Sequence, residues 1–143
     1  MDDIPCQGRI ATGVKGMLVD AQDSVIFATQ INGEGEIIIV TDKGLFKRVI
    51  SSLIDPLSRG RKGVMITDSK SNVLFADYVT VPYMLAVTSE SGAVSELETE
   101  DISIESRPSR GKSMKAFGIT TVKGVCALKY KSQFPDGNVQ MKL

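Results

Sequence analysis

Histidine and tryptophan are absent from this 143-residue chain, there are only two cysteines, and aromatic residues make up 6%. Without histidine, and with Cys6 and Cys126 far apart, neither a histidine-based catalytic arrangement nor a zinc site can be assembled. The two cysteines read as buried or incidental free thiols. Long apolar runs are missing too: runs such as Ile37 to Val40, soon closed by Asp42 and Lys43, are far short of the roughly 18 residues that span a bilayer. The start, Met-Asp-Asp-Ile-Pro, has no basic stretch followed by an apolar one, so a cytoplasmic setting without a membrane partner is expected. The hydrophobic fraction of 42% is enough for one ordinary core.

Net charge is zero, from seventeen basic and seventeen acidic residues, but the charge is sorted into blocks. Residues 1–70 hold nine of each sign, and residues 71–106 hold seven acids and no base. Residues 107–143 hold eight bases against Asp136 alone. A neutral total therefore conceals a basic surface that could meet a polyanion.

The chain repeats itself. Val25-Ile26-Phe27-Ala28 returns as Val73-Leu74-Phe75-Ala76 at a shift of 48, and Ile38-Ile39-Val40-Thr41 returns as Leu85-Ala86-Val87-Thr88 at 47. Val125-Cys126-Ala127-Leu128 marks a third, shorter unit. Repeat 1 covers about 8–56, repeat 2 about 57–105 and a partial repeat 3 about 106–143, which together read as one domain or a fragment of one. Within each unit, short β-branched runs alternate with turn residues: strands are predicted at Val25–Ile31, Glu36–Thr41, Leu45–Ile50, Val73–Val79, Tyr83–Thr88, Ala93–Leu97, Gly124–Lys131 and Val139–Leu143. The one helical candidate, Ser51–Leu57, is short and stopped by Pro56. The fold class is all-β. A period of about 48 residues is that of one propeller-type blade, and three such units make an open or partial disc.

Gly111-Lys112-Ser113 resembles the end of a phosphate-binding loop, but Ser106 stands where its first glycine belongs and no helix is signalled after it. Gly33-Glu34-Gly35 begins like a dinucleotide fingerprint, but Ile38 replaces the last glycine and the turn is acidic. Glu98 and Glu100 fall on one face of a strand, yet the run Ala93–Asp101 reads better as a solvated edge strand whose charge discourages edge-to-edge pairing. No catalytic site and no cofactor are expected. What recurs once per unit is a basic glycine turn: Gly8-Arg9 with Lys15-Gly16, then Arg59-Gly60-Arg61-Lys62-Gly63, then Arg107, Arg110-Gly111-Lys112 and Lys115. Glycine permits tight turns and close approach, and arginine and lysine offer charge-assisted donors to phosphate. Equivalent placement on successive blades would align these cations along one rim, suited to duplex DNA held by its backbone and bent. Aromatic residues are too sparse at these turns for a single-strand stacking platform.

Three landmarks in order, Gln7–Met17, Val40–Arg48 and Ser58–Val64, resemble the C-terminal domain of bacterial type IIA topoisomerase A subunits, the family that includes those of DNA gyrase and topoisomerase IV. The resemblance runs from about residue 7 to about residue 131. It implies a β-pinwheel, a propeller-like disc whose basic rim binds and bends double-stranded DNA, and it implies that chemistry and ATP hydrolysis lie elsewhere. The partners implied are duplex DNA, the ATPase subunit of the same enzyme, plus the remainder of the A subunit, in a cytoplasmic, nucleoid-associated setting. Carried over by position, Arg9, Lys15, Lys47, Arg48, Arg59, Arg61, Lys62, Arg110, Lys112 and Lys115 would contact phosphates. Tyr78, Tyr83 and Tyr130 sit in strand contexts and are not nucleophiles. Leu57–Gly63 only approximates the gyrase basic box: the leading glutamine is replaced and Arg61 stands where a glycine is expected, which favours the topoisomerase IV side. Open blade edges invite self-association. The alternative from a different class is a propeller-type protein-interaction module whose basic turns are merely solvated.

Overall fold

A computed structural model describes residues 5–67 and 70–128; the run Val139–Leu143 and the end of Gly124–Lys131 lie outside these. Among the described residues seven strands form: β1 (Glu36–Thr41), β2 (Leu45–Ile50), β3 (Val73–Val79), β4 (Met84–Thr88), β5 (Val94–Glu98), β6 (Lys112–Ser113) and β7 (Gly124–Leu128). The hairpin β1–β2 turns at Gly44, whose φ of +66° is open to glycine at little cost. A side chain there would also meet the Thr120 carbonyl, 2.8 Å from the added carbon. The hairpin β4–β5 turns at Gly92 in the same way, with φ +85°. Ser51–Leu57 contains only the single 3-10 turn Ser51–Leu53.

The strands pair antiparallel in two sheets, a four-stranded one in the order β3-β1-β2-β6 and a three-stranded one in the order β5-β4-β7. The two hairpins echo the internal repeat: the pairs Ile38–Arg48 and Ala86–Glu96 are 48 residues apart, while the inward-facing Ile38 and Val40 answer to Leu85 and Val87 at 47. The sheets do not respect the borders of the sequence repeats. The four-stranded sheet takes its hairpin from repeat 1, β3 from repeat 2 and β6 from repeat 3.

Period-two alternation places Ile38 and Val40 on one face of the first sheet with Phe46, and Leu85, Val87 and Leu97 on one face of the second. These six form the core with Val79, Tyr83, Ile102, Met114, Ile119 and Val122. Burial of each large side chain contributes about 1.5–3 kcal/mol, so the facing sheets carry most of the fold's stability. The opposite face of the first sheet buries Ile39, Val49 and, between them, Lys47.

Val25–Ile31 does not form the predicted strand. Its copy in the next repeat, β3, lies against β1, but no hairpin stands beside Val25–Ile31 among the described residues, and apart from Phe27 the run is exposed. A strand without a neighbour leaves its ladder unmade. Cys6 and Cys126 are free and exposed, so burial, one of the two expectations for them, does not hold.

Candidate nucleic-acid interface

The first two basic turns meet. The Gly60 amide donates to the Gly16 carbonyl at 3.0 Å and the Leu18 amide to the Arg61 carbonyl at 2.9 Å, so Lys15 and Arg59–Lys62 share one stretch of surface. Gly60 and Gly63 hold φ of +74° and +85°, which turn the backbone sharply between the cations. Arg9, Lys15, Arg59, Arg61 and Lys62 are exposed. Lys62 pairs with Asp20 at 2.7 Å, and that bond raises its ammonium's pKa. An exposed pair of this kind is weak, so a phosphate can replace the carboxylate. Arg9 lies within the tight Gly8–Ala11 turn, and no hydrogen bond among the described residues ties it to the other cations.

The third basic turn is strapped to β2. Arg48 and Ile104 form a parallel bridge, with the Arg48 amide donating to Ser103 at 3.0 Å and the Glu105 amide to Arg48 at 2.9 Å. At Gly111, with φ +90°, a side chain would stand 2.7 Å from the Phe46 carbonyl oxygen, so only glycine lets β6 lie this close to β2. Lys112 reaches the Glu105 carboxylate at 3.1 Å. That bond, followed by one from the Ser103 hydroxyl, holds the Glu105 carboxyl below its usual range. Arg110, Lys112 and Lys115 are exposed, and Lys115 opens the single turn Lys115–Phe117.

Lys47 and Arg48, expected at the rim, are engaged inside. Lys47 is 1% exposed, and its Nζ donates to the carbonyls of Ser106, Arg107 and Ser109 at 3.2, 2.8 and 2.6 Å. Burial lowers its pKa, an effect that Glu105 partly opposes. Arg48 donates from Nε to the Ile102 carbonyl at 2.6 Å and from its terminal nitrogens to Glu36 at 2.7 Å and the Glu100 carbonyl at 3.3 Å. Their donors are thus directed at this chain's own oxygens. The signal was in the strand: Lys47 alternates with Leu45 and Val49 on a face that faces protein. Two other features escaped sequence reading, because Asp20 and Glu105 become partners of Lys62 and Lys112 only through the fold.

The acidic run forms the expected solvated edge only over Val94–Glu98; Glu100, expected on one strand face with Glu98, lies in the turn Thr99–Asp101. On β5, the outer strand of its sheet, Glu96 and Glu98 are exposed while Leu97 is buried. Glu98 and Asp101 cap the turn Thr99–Asp101 reciprocally. Tyr83, on the β3–β4 connection, is buried with its hydroxyl 2.6 Å from Asp77, and both burial and this bond raise its pKa. Among the described residues no cluster of three or more potential metal ligands occurs, and no helix is long and apolar enough to cross a membrane.

Hairpin-built antiparallel sheets in tandem, bearing a basic glycine turn per unit, define an all-β protein of the propeller class. Residues 1–32 and 35–71 match the family described as DNA gyrase C-terminal domain, beta-propeller. Among curated proteins the chain is 28% identical over 113 residues to the DNA gyrase A protein of Klebsiella oxytoca, covering 77% of this chain and 13% of that protein. It is 31% identical over 116 residues to the corresponding gyrase protein of Staphylococcus epidermidis, covering 78% and 13%, and 32% over 107 residues to that of Fibrobacter succinogenes, covering 73% and 12%. The chain therefore spans about an eighth of the length of these relatives. In fold it is similar to the crystal structure of the C-terminal domain of DNA topoisomerase IV, with a TM-score of 0.73 at 20% identity over 89% of this chain and 41% of that one. Over residues 1–32 and 35–71, just under half of its length, the chain matches the DNA gyrase C-terminal domain family.

Proposed function

We propose that this chain is a non-catalytic segment of the A subunit of a bacterial type IIA topoisomerase, and that it holds and bends duplex DNA across its basic turns. The observation that carries this reading is the meeting of Lys15, Arg59 and Arg61 on one exposed surface, where none of the three pairs with a carboxylate among the described residues. Arginine forks and lysine ammonium groups donate to phosphate oxygens and displace condensed counterions, giving affinity without base reading. The phosphate-facing set is Arg9, Lys15, Arg59, Arg61, Lys62, Arg110, Lys112 and Lys115, with Lys47 and Arg48 supporting it from within. The protein partners are the ATPase subunit, together with the rest of the A subunit, in the cytoplasm at the nucleoid. No cofactor is assigned. The sequence relatives carry the gyrase name and the structural one the topoisomerase IV name, so placing the chain on the topoisomerase IV side rests on the degenerate box at Leu57–Gly63.

Three to six phosphate contacts give a slope of log K against log salt of about −3 to −5. Titrating the chain with a mixed-sequence duplex at several salt concentrations measures it. Arg59→Ala with Arg61→Ala should make the slope shallower by about 2 while the circular dichroism stays unchanged; a flat titration of the unaltered chain refutes the reading. A second reading, a surface for another polypeptide, is favoured by the exposed apolar run that includes Ile10 at 97% and Val25 at 66% exposure. A cleft of about 660 Å³ lies beside it, lined by Met17, Val25, Phe27 and Val73. Duplex affinity unaffected by the double arginine variant would favour this second role.

A further inference from the structure

The deepest-set cation among the described residues is almost wholly shielded from solvent and forms no ion pair. Lys47 Nζ is ringed by three main-chain carbonyls of one turn, those of Ser106, Arg107 and Ser109. Carbonyl and N–H of a trans peptide point in opposite directions. With the carbonyls of Ser106 and Ser109 drawn inward, the amides of the same two peptides, which belong to Arg107 and Arg110, point outward. Neither amide has an acceptor among the described residues. Pro108 supplies no N–H, and the Ser109 amide closes the turn on Ser106 at 3.1 Å. The outward side of the turn therefore offers two backbone donors, carried by two arginines of which Arg110 is exposed and Arg107 partly buried, beside a buried positive charge. Outward backbone N–H groups in a tight turn can serve an anion, as they do in anion-binding nests.

We propose that the Ser106–Arg110 turn is a phosphate-binding nest for the duplex backbone, with the Arg107 and Arg110 amides and side chains as donors and Lys47 as the positioning residue that sets the turn's shape. This rests on the reading of the chain as a duplex-binding segment. The second repeat supplies a contrast: β5, Val94–Glu98, carries no lysine or arginine at all, so it has no such ammonium. The nest belongs to one unit and is not a general feature of the repeat.

The test uses the whole chain, amide chemical shifts and a mixed-sequence duplex. The Arg107 and Arg110 amides should shift on adding duplex. Arg107→Ala with Arg110→Ala should flatten the salt slope by about 2 and weaken binding at about 0.1 M salt by up to about 60-fold. Lys47→Met should reproduce most of that loss, and adding it to the double variant should cost little more, as expected for residues acting on one site. A merely structural lysine would lower the melting temperature and leave the salt slope alone. If Lys47→Met does not fold, the amide shifts and the arginine variants still decide. Duplex binding with silent Arg107 and Arg110 amides and an unchanged affinity in the double arginine variant overturns the nest while sparing the broader reading. No duplex binding by the unaltered chain overturns both. Shifts with inorganic phosphate but none with duplex overturn the assignment to nucleic acid.

Discussion

Replacing Gly111 by alanine would set a methyl carbon 2.7 Å from the Phe46 carbonyl oxygen, 3.1 Å from its carbon and 3.3 Å from Lys47 Cβ, at a φ of +90°. The left-handed backbone costs an alanine about 1–2 kcal/mol. The overlap adds about 1–3 kcal/mol, because the obstacle is strand backbone packed on the core and has nowhere to retreat. Gly60→Ala is the matched control: φ is +74°, but nothing lies within 4 Å of the added carbon. It carries the backbone strain alone, in an exposed segment that can open locally without unfolding the sheets. For a chain of this size 1 kcal/mol moves the melting temperature by about 4 °C. Thermal unfolding followed by circular dichroism should show Gly111→Ala lowered by about 8–20 °C, against at most about 8 °C for Gly60→Ala, and less still where local opening relieves the strain. Equal shifts in the two variants would refute the close approach of β6 to β2. So would a drop of under about 4 °C in Gly111→Ala.

Arg48→Met leaves the carboxylate of Glu36 and the carbonyls of Ile102 and Glu100 without their donor, and urea unfolding should show a loss of about 2–4 kcal/mol. Glu105, whose folded pKa is held below the ordinary carboxylate value, releases its proton more readily in the folded chain, so the unfolded state binds more protons in that window. Its contribution is therefore present above the ordinary carboxylate range and is lost as pH falls through it. Urea midpoints measured on acidification should decline less steeply in Glu105→Gln. Charge reversal at the exposed β5 edge, Glu96→Lys with Glu98→Lys, removes repulsion toward a polyanion and should tighten duplex binding several-fold at low salt, with the gain shrinking as salt is added.

Local pattern carried the hairpins well. Glu36–Thr41, Leu45–Ile50 and Val73–Val79 appear as strands with the bounds expected from their β-branched runs and glycine turns. Val25–Ile31 has the same local pattern as β3 and fails, because a strand is completed by its neighbour and pattern does not reveal whether the neighbour is there. The strand β6 was invisible for the opposite reason: Lys112 and Ser113 have no apolar alternation, and they are extended only because Gly111 lets them reach Leu45 and Phe46. At the candidate interface, the recurrence of basic turns was legible in the sequence, and the first two of them meet. The inward course of Lys47 was written in its alternation with Leu45 and Val49, but a lysine beside an arginine reads first as surface. The neutralising partners Asp20 and Glu105 lie 42 and 7 residues from their cations, and only the folded path selects them.

Because β6 comes from beyond the second hairpin and closes the outer edge of the first, the units are dovetailed and cannot be lifted out one at a time. Any recombinant boundary drawn at a sequence repeat would strip a clasp from the preceding blade and bare the hydrogen-bonding groups of β2. Excision, duplication or swapping of a single blade must instead follow the interlock, carrying the linker through Ser113 along with the hairpin it fastens.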